Sequence, residues 1–98
     1  MTSGTWAISF RTPLGKNGFD LEAMVDGEKL TGKIHGSINQ DVPISMGKVE
    51  GSNVSFQVPL KTPIGETGAS FNLQYNGKEL TGTMSTRFGT YKVTGIQK

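Results

Sequence analysis

Asp26-Gly27-Glu28-Lys29-Leu30-Thr31-Gly32 and Asn76-Gly77-Lys78-Glu79-Leu80-Thr81-Gly82 stand fifty residues apart in the chain. Each opens on Asp-Gly or Asn-Gly, the strongest short-range hairpin signal, because these residues tolerate positive φ. Apolar residues alternate on both sides of each dipeptide. Phe19, Leu21, Ala23 and Val25 lead into the first, and Leu30, Gly32 and Ile34 lead out of it. Ala69, Phe71, Leu73 and Tyr75, then Leu80, Gly82 and Met84, do the same around the second. A period of two is that of a strand with one buried face. Two hairpins of one design therefore set an all-β fold.

The likeness extends outward from the hairpins. Thr12-Pro13-Leu14-Gly15 meets Thr62-Pro63-Ile64-Gly65, where proline suits a turn that fixes φ. Gly18 meets Gly68, and Trp6, Ile8 and Phe10 meet Phe56, Val58 and Leu60. Val42, Ile44 and Met46 continue the inward pattern in the first unit, as Tyr91 and Val93 do in the second. Asn39-Gln40-Asp41 and Glu50-Gly51-Ser52-Asn53 are the remaining polar breaks. The spacing predicts two tandem four-strand repeats, at about 4–49 and 54–98, within a single domain covering residues 1–98. Their eight antiparallel strands form an up-and-down meander barrel or a closely packed sandwich. The barrel is favoured because closure removes exposed sheet edges. Gly32 and Gly82 fall on inward positions, where a bend would let an aromatic such as Phe71 cover bare backbone. The matched positions are turns and core, so the repeat encodes a backbone.

Composition narrows the function. There is no cysteine, which excludes disulfides, thiolate metal sites and a cysteine nucleophile. The net charge is only +2, and its surplus is spread over Arg87, Lys92 and Lys98, too sparse for the dense basic stripe of a nucleic-acid binder. No segment is long and apolar enough to span a membrane, so no membrane insertion is expected. Met1-Thr2-Ser3-Gly4 has no charged-then-apolar signal pattern. The expected location is cytoplasmic as the chain stands, or periplasmic or secreted if a signal precedes it.

Gly4-Thr5-Trp6, with the Leu-Thr-Gly strands that follow, resembles the opening of avidin- and streptavidin-type barrels, and Gly-x-Trp also opens many lipocalin-type barrels. The resemblance implies an eight-stranded meander. Ala7-Ile8-Ser9-Phe10-Arg11-Thr12 does not match the biotin-binding Asn and Ser positions of the avidins, so only the architecture carries over. The stretch Gly47-Lys48-Val49-Glu50-Gly51-Ser52-Asn53-Val54-Ser55-Phe56 is similar to small bacterial β-barrel domains of unknown function, some of which look like accessory modules of exported enzymes. That likeness implies no activity.

Three candidate sites follow from the inside–outside pattern. His35, the only histidine, shares the outer face with Asp20, Glu22 and Lys33. This charged cluster reads either as an acid/base group, with His35 oriented by Asp20, or as cross-strand pairs that hold register. The second is favoured, since a convex face excludes no water. Gln57, Asn72, Gln74, Thr81 and Thr83 belong to an almost uncharged outer face, a possible interface for self-association or a protein partner. Ser55, Ser70, Ser85, Thr90 and Thr94 extend it. Trp6 and Tyr91 mark a possible ligand site at a barrel mouth. One histidine and scattered carboxylates make no metal set, and no glycine-rich loop opens a helix, so neither a metal nor a cofactor is expected. The reading is a non-catalytic binding or protein-interaction domain, possibly a homo-oligomer or accessory module. The alternative is a small-ligand carrier that binds at the barrel mouth.

Overall fold

The computed structural model describes residues 3–12, 15–36, 41–62, 65–87 and 89–98. The strands are β1 (Gly4–Thr12), β2 (Gly15–Asp26), β3 (Lys29–His35), β4 (Val42–Pro43), β5 (Ser45–Glu50), β6 (Asn53–Thr62), β7 (Gly65–Asn76), β8 (Glu79–Thr86) and β9 (Gly89–Gln97). Neighbours in sequence pair antiparallel, except that β4 and β5 both pair with β3, and β1 pairs with β9, with Trp6 opposite Gln97, Ile8 opposite Gly95 and Phe10 opposite Val93. The meander is thus a closed barrel, not a sandwich. β4 and β5 form one interrupted strand, so the wall has eight strands. The Thr-Pro-x-Gly turns lie outside the described residues at positions 13–14 and 63–64, although Thr12 faces Gly15 and Thr62 faces Gly65.

Three hairpins close one end of the barrel. Asp26 pairs with Lys29, Glu50 with Asn53 and Asn76 with Glu79, which leaves two-residue loops at Gly27-Glu28, Gly51-Ser52 and Gly77-Lys78. Positive φ falls on the glycine alone, at 63°, 60° and 67°. That is the pattern of a type II′ turn, with glycine at the first loop position. Asp26 and Asn76 therefore end strands instead of entering the turns.

The barrel has no lumen at its centre. Phe19 on β2 and Phe71 on β7 lie on opposite walls, yet their rings meet edge to face at 5.7 Å. Phe71 also stacks on Phe56 at 4.7 Å, and Trp6 meets Tyr75 edge to face at 5.9 Å. An eight-stranded barrel is only wide enough for its own side chains, and these rings take up that width. Aliphatic side chains from every long strand, among them Ile8, Leu21, Ile34, Val54, Leu80 and Val93, pack around the rings in the buried core.

Two details depart from the alternation pattern. Gly32 and Gly82 are paired directly with Ala23 and Leu73. A Cβ there would lie 1.9 Å from the Glu22 carbonyl oxygen or 2.0 Å from that of Asn72. Close approach of the adjacent strand is what requires glycine. Met46, read as inward, is 74% exposed. It has φ of 54° at a register shift between Ser45 and Lys48, where one extra residue enters the strand. This β-bulge turns Met46 outward and returns Val49 to the core.

Candidate functional site

Across β6, β7 and β8 the outward residues fall into rows. Ser55 faces Asn72, which faces Thr83, while Gln57 faces Ser70, which faces Ser85. Asn53, Gln74, Thr81 and Thr94 make a third row that reaches β9. The surface is not uniformly convex. A groove of about 490 Å³ runs over β5–β8, and Asn53, Ser55, Asn72, Gln74 and Thr81 supply its neutral polar side chains. Asn72, Gln74 and Thr81 of the expected interface line it directly. Gln57 and Thr83 occupy neighbouring positions in the same rows.

Lys48 and Glu50 flank the groove from β5. They pair with each other, and the Glu50 carboxylate raises the Lys48 pKa through a hydrogen bond and its charge. The edge therefore presents a compensated pair to a groove of amides and hydroxyls. Such a surface offers both donors and acceptors at little charge-desolvation cost, which suits an uncharged polar partner. The alternation pattern alone did not find Lys48, Glu50 and Asn53, because it reads Glu50-Gly51-Ser52-Asn53 as a polar break, whereas the hairpin there sets Lys48 and Glu50 beside Ser55 and Asn53.

The charged cluster assembles on the opposite half of the wall. Asp20 faces His35 and Glu22 faces Lys33 across β2–β3. Lys33 Nζ lies 3.2 Å from Asp41 and 3.7 Å from Glu22, and His35 Nε2 lies 3.9 Å from Glu22. The Asp20 carboxylate instead accepts a 3.0 Å hydrogen bond from Lys98 Nζ. The orienting contact from Asp20 to His35 is therefore not formed, and the histidine approaches Glu22. A shallow depression of about 460 Å³ beside Asp20 and His35 is floored by the small residues Ala7, Ser9, Gly18 and Gly36. His35 is 42% exposed there, so water reaches the imidazole.

Asp41, and then Glu22, hold the Lys33 ammonium charged to higher pH than an ordinary lysine. A raised folded-state pKa contributes stability below the unfolded value, and this is lost as pH rises through the folded value. Asp41→Asn is expected to move the Lys33 titration back toward 10.5 by more than Glu22→Gln does, as followed by the side-chain NMR signal of Lys33. An equal shift in the two variants would contradict this ordering.

The mouth residues do not converge. Trp6 is fully buried near the end that carries the three hairpins, opposite Gln97. Tyr91 is half-buried near the other end, opposite Met84. Gln97 lies six positions beyond Tyr91 on β9, about 20 Å of strand. The two side chains thus belong to different ends of the barrel and share no mouth.

Among the described residues no group of three or more His, Cys, Asp or Glu could hold a metal ion, and no helix is long and apolar enough to cross a membrane. No protein-family profile, curated protein or solved structure matches this chain.

Proposed function

We propose that this chain is a non-catalytic binding or protein-interaction domain that engages an uncharged polar partner through the outer face of β6–β9. The observation that carries this reading is the groove over β5–β8, lined by Asn53, Ser55, Asn72, Gln74 and Thr81. Charge is depleted at the cores of interfaces, where an unpaired ion would have to be desolvated. The likeness of Gly47–Phe56 to bacterial accessory β-domains supports an accessory-module role, and the Gly4-Thr5-Trp6 opening supports kinship with avidin-type barrels in architecture alone. A second copy of the chain is the simplest partner that this mostly uncharged face, with Lys92 opposite Thr83 on β9, would fit.

Sedimentation velocity tests the homo-oligomeric form. The protein is expected to self-associate as concentration rises, and Gln74→Lys with Thr83→Lys is expected to keep it monomeric without changing its melting temperature. His35→Ala, remote from this face, is expected to leave the association unchanged. A protein that stays monomeric at high concentration would remove the homo-oligomeric form. Association that persists in the lysine variant would remove the face.

A further inference from the structure

Pairing registers recur fifty residues apart. Trp6 opposite Leu21 corresponds to Phe56 opposite Phe71, and Glu22 opposite Lys33 corresponds to Asn72 opposite Thr83. The seams that join the halves agree as well. Lys98 N donates to Thr5 O at 2.9 Å, extending the β1–β9 ladder, and the counterpart is the observed pair Lys48–Ser55. Each half, β1–β5 or β6–β9, is a four-strand sheet whose two edges are met by the edges of the other half. The covalent link between them is the two-residue loop Gly51-Ser52. The ladder beside that loop is short, with Lys48, Val49 and Glu50 facing Ser55, Val54 and Asn53 before the bulge shifts the register.

We propose that Gly51-Ser52 is a hinge and that two copies of this chain exchange halves, so that β1–β5 of each closes a barrel with β6–β9 of the other. Every ladder and the whole core are retained in the exchanged dimer. Only the type II′ reversal is given up, and the opposing term is the entropy of association. High concentration or a shorter hinge therefore favours exchange, because adjacent antiparallel strands need a loop to reverse the chain. This differs from association through the polar face, which leaves each barrel made of one chain.

Ala7 and Ile96 face each other on the outside of the β1–β9 seam, and the described residues contain no cysteine. In a protein carrying Ala7→Cys and Ile96→Cys, a disulfide formed across this seam lies within one chain in the monomer and between chains in the exchanged dimer. After refolding at millimolar concentration and oxidation, covalent dimers are expected on a non-reducing gel. Deletion of Gly51 and Ser52 in the same background is expected to convert the folded protein almost wholly to covalent dimer, with an unchanged β-sheet circular dichroism spectrum. Intrachain disulfide alone in the folded shortened protein would overturn the proposal. If the shortened chain does not fold, the native-hinge protein decides: covalent dimer sustains the exchange, and intrachain monomer alone overturns it.

Discussion

Trp6→Ala is expected to cost about 3–5 kcal/mol, a large part of the stability of a domain this size. The side chain is fully buried between the β1 wall and Tyr75, and its removal opens a cavity in a barrel that has little room to collapse. Trp6→Phe should cost far less. It keeps a ring in place and removes an indole N–H that has no hydrogen-bond acceptor among the described residues. An unsatisfied buried donor carries a penalty of about 1–3 kcal/mol, which offsets much of the lost contact area. Urea unfolding of the two variants measures both costs. Equal destabilisation by Ala and Phe would show that the indole itself, and not its ring volume, supports the barrel.

Gly82→Ala is the second large effect, at about 1–3 kcal/mol or more. The new methyl carbon would start 2.0 Å from the Asn72 carbonyl oxygen and 2.8 Å from the Leu73 Cα, both backbone atoms that cannot swing aside. Gly32→Ala meets the same obstacle at 1.9 Å and adds a φ of 149°, which L-residues seldom adopt. The Gly32 variant should therefore melt lower than the Gly82 variant, and both well below the parent, as read by thermal unfolding. Gly68→Ala, with no atom within 4 Å of its Cβ position, serves as the control. Destabilisation by Gly68→Ala equal to that by Gly82→Ala would contradict this account of strand approach.

The residues that set these effects differ in how visible they are in the sequence. Alternation around Asp26-Gly27 and Asn76-Gly77 exposes the hairpins and most of the core, because one-sided burial imposes a period of two. The same period misplaces Met46, since a non-glycine residue at positive φ leaves no compositional mark. The groove also takes Lys48 and Glu50 from across the Gly51-Ser52 hairpin, which alternation reads only as a polar break, so only its β6–β8 residues were legible. The opposite placement of Trp6 and Tyr91 follows from the meander itself. The first strand and the last run in opposite directions, so residues near the start of each lie at different ends. Lys98 and Asp41 join the charged cluster through barrel closure and a loop, neither of which has a local signal.

The proposed binding role falls on the outer face of β6–β9, with a filled interior behind it. Amide NMR spectra recorded across a concentration series test that claim directly. Progressive shifts are expected, centred on Ser55, Gln57, Asn72, Gln74, Thr81 and Thr83, with the signals of Leu21, Leu30 and Phe71 unmoved. Shifts centred on those core residues, or on Asp20, Glu22 and His35 in place of the polar face, would contradict it.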